Sequence, residues 1–341
     1  MFQAGANATA LWVAVIVAII YLILVRLADM NEKEPLWAVA VIFLFGFVGA
    51  IILMFAVDST VLEFNLWGSA IWEEVVRFLA LFAGILTLNA FSSSRGWSEL
   101  GGMLDGIVYG ATAGLGFAVG QAFVHDVMMP QHAGPLAAAL APSFGTLVWT
   151  TALKGLSDGL FGAIMGAFFG AAAYRRTAIE RIILPVVGLA VAVVVHFGYR
   201  KLAYGNALGG STGMMQLWIA LLIPLAFIIA LIIYSLAWEK HAIREELVGE
   251  AAGGAVTSDE LAVLGGAVSR KGKYLGMLLS GQCRQYSASR AIANWQVELA
   301  MTKRRLSREQ DPHRRQVLEA EVGRIREAIL RAKAHQPGPT I

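Results

Sequence analysis

Glu73, Glu74 and Arg77 are the residues whose types and spacing most directly suggest chemistry in this sequence. Arg77 follows Glu73 by four positions and Glu74 by three, so on a helix either carboxylate can pair with the guanidinium. The other carboxylate then stays free to accept a proton or to ligate a metal ion. The spacing therefore predicts acid–base or metal chemistry at this point of the chain.

Other polar side chains lie in equally apolar surroundings. Lys154 and Asp158 are four apart, which favours a neutralising pair within one helix. His196 stands among apolar residues, where an imidazole either makes a structural hydrogen bond or ligates a metal. Gln121 and His125 share one face of a predicted helix. Because a charge in a membrane-spanning helix costs about 2.5–3.5 kcal/mol, such residues are candidates for function.

The composition indicates that these residues lie in a membrane domain. Of the 341 residues, 57% are apolar and 15% are charged, against about 25% charged in ordinary soluble domains. Residues 1–238 hold 10 basic and 12 acidic side chains, whereas residues 239–341 hold 17 and 12. We therefore predict a transmembrane domain over 1–238 and a polar tail over 239–341. A nucleic-acid enzyme, a disulfide scaffold and a disordered chain all fit poorly.

Seven apolar runs are long enough to cross a hydrocarbon core of about 30 Å. They must be helices, because backbone groups in lipid have to pair internally. The class is therefore all-α and polytopic. The predicted spans are Ala10–Leu27, Leu36–Val57, Trp67–Phe91, Met103–Val124, Leu147–Ala172, Ile182–Leu202 and Met215–Trp238.

The distribution of basic residues predicts the orientation and the nature of the tail. Lys and Arg concentrate in one set of loops and in the tail, so we expect the N-terminus outside and the tail in the cytoplasm. Apolar residues recur at helical spacing on both sides of Asp311-Pro312, which predicts a helical hairpin. Its basic excess suits anionic lipid or an acidic protein partner, although a solvated hairpin without a ligand is the alternative.

The predicted depths of the polar residues favour a common site. At 1.5 Å per residue they lie in the outer half or near the midplane, from about 5 Å below the outer end for Gln121 to about 17 Å for Asp158. Glycines at four-residue spacing in the fourth and fifth spans would let helix backbones approach closely. The polar groups could then be shielded from lipid.

Four segments, in order on successive spans, resemble motifs of the PrsW family of intramembrane proteases. EEVVR at 73–77 resembles the family's EExxK/R motif, and DGIVYG at 105–110, continuing to GFA at 116–118, resembles its fourth-helix signature. LFGAIMG at 160–166 and HFGY at 196–199 resemble the segments around its histidines. The likeness covers roughly residues 10–238. It departs from the pattern at Gln121, Asp158 and Arg200, where the family has Glu, His, and Asp or Asn.

The resemblance implies peptide-bond hydrolysis near the outer membrane face. Glu74 would activate water, directly or through a divalent metal such as zinc, while Glu73 and Arg77 fix its orientation and charge. His196 would ligate the metal or stabilise the oxyanion, so the catalytic set is Glu73, Glu74, Arg77 and His196. The implied metal ligands are Glu74, Asp158 and His196. Supporting residues would be Gln121, Lys154 and His125.

The resemblance also implies the substrates and the membrane in which they are cleaved. Substrates would be single-span membrane proteins, for example anti-sigma factors, cleaved in the bacterial inner membrane among its lipids and without a nucleic-acid partner. Two alternatives stay open. The departures favour a catalytically inactive scaffold or binding protein of the same fold. GLSDG at 155–159 has the GxSxG spacing of a rhomboid-like serine protease, with Ser157 as nucleophile and His196 as base, although Asp158 stands where that motif has Gly.

Overall fold

All regular elements that the structure describes are helices, which confirms the predicted all-α class. The structure is a computed structural model. It describes residues 2–28, 34–57, 65–93, 100–124, 128, 144–173, 175, 177–206, 210–251, 253–264, 272, 276–277, 279–307, 309 and 311–334. The first helices are α1 (Phe2–Ala28), α2 (Leu36–Ala56), α3 (Leu66–Ser93), α4 (Met103–Phe123), α5 (Phe144–Ala173) and α6 (Ala178–Asn206). They are followed by α7 (Gly210–Ala220), α8 (Leu222–Leu247), a 3₁₀ turn (Val248–Glu250), α9 (Ser258–Leu264), α10 (Cys283–Leu306) and α11 (Pro312–Ala334).

Seven helical segments of the described chain are long and apolar enough to cross a membrane, which confirms a multi-pass membrane protein. The last predicted span differs in one respect, because α7 ends at Ala220 and α8 begins at Leu222. Pro224 explains the interruption. It has no N–H to donate to the Ala220 carbonyl, and its ring crowds that carbonyl.

Helices α4 and α5 form the centre of the membrane domain and touch backbone to backbone. A Cβ at Gly110 would lie 2.1 Å from the carbonyl oxygen of Gly162, and one at Gly114 would lie 2.0 Å from that of Asp158. Only glycine permits this approach. The four-residue glycine spacing therefore permits the close backbone approach that it predicts. Helix α4 is buried over nearly its whole length.

The other helices of this domain surround the central pair. Helix α2 lies against α4, where Gly116 leaves room for the Phe43 carbonyl, and α1 contacts both central helices. Helix α3 contacts α2 and α6, and α6 packs on α5. Because α3, α5 and α6 meet in this way, side chains from all three can share one buried site.

The chain divides into two compact units between Ile232 and Ile233, inside α8. The second unit has its own apolar core, and α10 packs on α11. The core residues include Ile243, Leu247, Val256, Leu264, Ile292, Val297, Leu299, Val322, Ile325 and Ile329.

Two glutamates of the second unit are held by basic side chains of the hairpin. Glu250 is buried and accepts hydrogen bonds from Lys303 Nζ at 2.9 Å and from two nitrogens of Arg326 at 2.8 Å each. Glu260 accepts one from Lys333 Nζ at 2.6 Å. Partial burial acts to raise the pKa of Glu260, but the Lys333 hydrogen bond and a backbone N–H outweigh it and lower that pKa.

Candidate functional site

Glu73 and Glu74 of α3 are both buried and have different partners. Successive residues of a helix point about 100° apart. Glu74 is bonded by Arg77 and by His196 Nδ1, the latter at 2.7 Å. Glu73 is bonded instead by Arg200. The two spacings left either glutamate open as the partner of Arg77, and the hydrogen bonds select Glu74, which precedes it by three residues.

Arg77 joins α3 to α5. Its side chain is fully buried, and it donates to Glu74 and to Asp158 Oδ1, the latter at 2.9 Å. The guanidinium carbon lies 4.6 Å from the ring centroid of Phe117 on α4, within cation–π range. A buried cation needs such compensation, because losing water costs several kcal/mol per ion.

Asp158 has a second cation in its own helix. The predicted pair with Lys154 forms, with Nζ 3.3 Å from Asp158 Oδ2, although the hydrogen-bond geometry is not met. The Lys154 side chain is 45% exposed, whereas that of Asp158 is 2% exposed. Lys154 therefore lies at the edge of the site, and Asp158 lies inside it.

His196 contacts Glu74 through one ring nitrogen and Arg200, the partner of Glu73, through the other. Nδ1 contacts Glu74 Oε1, and Nε2 receives a hydrogen bond of 3.2 Å from Arg200 Nε. Because arginine only donates, Nε2 must be the acceptor, and Nδ1 therefore carries the proton that is donated to Glu74. Phe161 stacks on the imidazole with ring centroids 4.7 Å apart. The bonding thus specifies a neutral imidazole in a fixed orientation.

Arg200 is a member of the site that the sequence interpretation missed. The sequence analysis names it only as a departure from the family pattern, yet it lies within α6 one turn after His196. Its guanidinium bonds Ser69 Oγ at 2.8 Å as well as Glu73 and His196. The four-residue spacing between His196 and Arg200 was the available signal, since it places both on one helix face.

Gln121 and Ser157 are buried near the site but do not join the network. Gln121 Oε1 has no hydrogen-bond partner within the described chain, and this residue lies one turn beyond Phe117. Ser157 Oγ donates to the Lys154 carbonyl of its own helix at 2.8 Å, while both His196 nitrogens are engaged elsewhere. The Ser157–His196 pair of a serine protease is therefore not formed. His125 lies outside the described residues.

Buried carboxylate oxygens remain available for chemistry. Glu73 Oε2 and Glu74 Oε2 are buried and have no hydrogen-bond partner among the described residues. Glu73 Oε2 lies 3.9 Å from His196 Nε2. Most buried polar atoms are satisfied, so two such acceptors on successive residues require an explanation. A water molecule or a substrate N–H would satisfy them, and a carboxylate that binds water can act as a general base.

One comparison with known proteins identifies the chain. A family model described as PrsW family intramembrane metalloprotease matches residues 34–233, and this range contains every member of the network. No curated protein and no solved structure matches the chain.

The arrangement of the predicted ligands does not fit a divalent metal. Among the described residues, no three His, Cys, Asp or Glu side chains are grouped so that they could hold one. Arg77 binds both Glu74 and Asp158, and Arg200 takes the free nitrogen of His196. Each of the three predicted ligands thus has one donor atom engaged by a guanidinium group.

Proposed function

This chain belongs to the PrsW family of intramembrane metalloproteases, and we propose that it hydrolyses peptide bonds of other membrane proteins within the bilayer. The observation that carries the proposal is the pair of buried glutamates with unpartnered oxygens beside an oriented imidazole. Buried carboxylates are costly in a membrane and are expected there when they serve a function.

Glu73 is the better candidate for the general base, although the sequence favoured Glu74. Glu74 Oε1 already accepts hydrogen bonds from Arg77 and His196, which suits Glu74 to hold the imidazole in place. Glu73 makes one such bond, to Arg200, whose side chain is 26% exposed and lies at the accessible edge of the network. Water can reach Glu73 from that edge.

The proposed reaction uses this chain's own side chains. Glu73 Oε2 takes a proton from water, and the water oxygen forms a bond with the scissile carbonyl carbon. The guanidinium of Arg200 stabilises the negative charge that develops on the carbonyl oxygen. The protonated Glu73 then gives its proton to the amide nitrogen as the carbon–nitrogen bond breaks. His196 and Glu74 hold Arg200 and the site in position.

The substrate we propose is a single-span membrane protein in the inner membrane of a bacterium, with anti-sigma factors as an example. Backbone groups of a spanning helix are all paired with one another. A substrate helix must therefore unwind locally before its carbonyl can meet Glu73, which favours helices with Gly, Pro or polar residues near the outer face.

We also propose that the tail lies in the cytoplasm.

The test is co-expression with tagged single-span proteins, with cleavage followed by immunoblotting. We expect Glu73→Gln to lower product formation by about 10²–10⁴-fold, the usual contribution of a general base. His196→Ala and Glu74→Gln should also lower it. Glu180→Gln is the matched control, because Glu180 is an exposed carboxylate at the start of α6. Ser157→Ala should retain activity, and a loss confined to Ser157→Ala would transfer the chemistry to a serine mechanism.

A non-catalytic scaffold is the second candidate, and one observation favours it. Each buried carboxylate of the network has a cationic partner, which is also what a purely structural ion-pair cluster requires. If wild type and all variants bind a single-span protein equally and none produces a cleaved fragment, the scaffold is the correct function.

A further inference from the structure

We propose that the guanidinium of Arg200 is the built-in cation of this site and occupies the position in which a divalent metal would bind. The proposal goes beyond proteolysis, because it concerns what the site can bind and holds for an enzyme and for a scaffold alike.

The contacts of Arg200 are those that a metal ion would make. The guanidinium contacts His196 Nε2 at 3.2 Å and Glu73 Oε1, an imidazole nitrogen and a carboxylate oxygen from two different helices. It also donates to Ser69 Oγ, 2.8 Å away. Imidazole nitrogen and carboxylate oxygen are the donors that zinc takes in catalytic sites. Here the nitrogen lone pair that a metal would need is already used.

The surroundings of His196 are those of a metal ligand. Metal-bound histidines almost always donate their other ring N–H to a carboxylate or carbonyl, which fixes the tautomer. His196 does so through Nδ1 to Glu74 Oε1 at 2.7 Å. The imidazole is therefore oriented to offer Nε2 to a cation, and the cation in contact with it is Arg200.

Charge balance leads to the same conclusion. The network of the described residues contains three carboxylates and three cations joined in pairs: Glu74 and Asp158 with Arg77, Asp158 with Lys154, and Glu73 with Arg200. With His196 neutral, the network carries no net charge. A divalent metal would add two uncompensated positive charges in a buried, low-dielectric site, which is strongly unfavourable. Removing Arg200 leaves the network with one net negative charge, so a bound divalent metal then adds one uncompensated positive charge instead of two.

The experiment measures metal binding by the purified full chain in detergent, prepared without a polyhistidine tag. Cobalt is titrated and its visible absorption recorded, and bound zinc is measured by elemental analysis after dialysis. Wild type should hold less than about 0.1 equivalent of either metal at the site. Arg200→Ala should bind close to one equivalent, at least about tenfold more tightly than wild type, with a nitrogen-ligand cobalt spectrum.

Three further variants identify the site. Adding His196→Ala to Arg200→Ala should abolish the gain, because the imidazole would be the principal ligand. Arg200→Lys retains the charge and should bind no metal. Arg181→Ala is the matched control, since Arg181 is an exposed arginine of the same helix. One equivalent of zinc in wild type that His196→Ala removes would overturn the proposal, and so would an Arg200→Ala protein that binds no more metal than wild type. The wild-type measurement needs no variant to fold.

Discussion

Replacing Arg77 by methionine tests whether the buried network holds the membrane domain together. Arg77 is fully buried and neutralises two carboxylates, Glu74 on its own helix and Asp158 on α5. Methionine keeps much of the side-chain volume but leaves both carboxylates without this cation. Removing one partner of a buried ion pair costs about 3–5 kcal/mol, and we expect at least that loss in the free energy of unfolding.

A double-mutant cycle isolates the contact between α3 and α5. Asp158→Asn removes one of the carboxylates that Arg77→Met leaves uncompensated, so the double variant should be more stable than the sum of the single losses by about 1–3 kcal/mol. Lys154, 3.3 Å from Asp158, compensates part of the charge and keeps the coupling in this range. Reversible unfolding in mixed detergent and dodecyl sulfate micelles, followed by tryptophan fluorescence, provides the measurement.

The control for the cycle is an arginine outside the network. Arg181 is exposed and bonds the Arg175 carbonyl, so Arg181→Met should change stability by less than about 0.5 kcal/mol. An Arg77→Met protein within about 1 kcal/mol of wild type would refute the reasoning. Strict additivity of the two single variants would show that the 2.9 Å contact between Arg77 and Asp158 contributes nothing.

Two further predictions concern the helix packing and the second unit. Gly110→Ala should destabilise the membrane domain by about 1–3 kcal/mol in the same unfolding assay, because its Cβ would lie 2.1 Å from a facing carbonyl oxygen. A Cβ at Gly198 would have nothing within 4 Å, so Gly198→Ala should be neutral or stabilising by up to about 1 kcal/mol. Equal losses of stability in the two variants would contradict the packing argument. Glu260→Gln should destabilise the second unit at pH 7 by about 1 kcal/mol, because Lys333 loses its partly exposed charge partner. Folding lowers the pKa of Glu260 below its ordinary 4.5. This stability is therefore present above pH 4.5 and disappears as the pH falls through the folded-state pKa. In a circular-dichroism pH titration, the difference from wild type should be present at pH 7 and should vanish in acid.

Pairs within one helix could be predicted from the sequence, because helical geometry fixes them. Glu74 with Arg77 and Lys154 with Asp158 follow from spacings of three and four residues. The spans were equally predictable, since lipid admits only apolar helices of sufficient length. The interruption at Leu221 was missed because the apolar pattern continues through it, and only the lost hydrogen bond at Pro224 divides the helix.

Partners on different helices could not be predicted from spacing. Arg77 meets Asp158 across 81 positions, and Arg200 meets Glu73 across 127. Those contacts depend on which helices are neighbours and on how each helix is rotated, and spacing along the chain specifies neither. The sequence therefore identified most members of the cluster, but it did not decide which glutamate pairs with Arg77 and it named Arg200 only as a departure from the family pattern.

The glycine contact between α4 and α5 also limits how a large ligand can enter. Carbonyl oxygens of one helix occupy the space that a Cβ of the other would need. These two helices therefore cannot separate without losing their whole interface. Glu73 and His196 are carried by α3 and α6, which lie on the periphery of that rigid pair. Under the proposed function, we expect a substrate helix to enter from the bilayer by displacement of α3 or α6, so a crosslink between these two helices should block cleavage without disturbing the contact between α4 and α5.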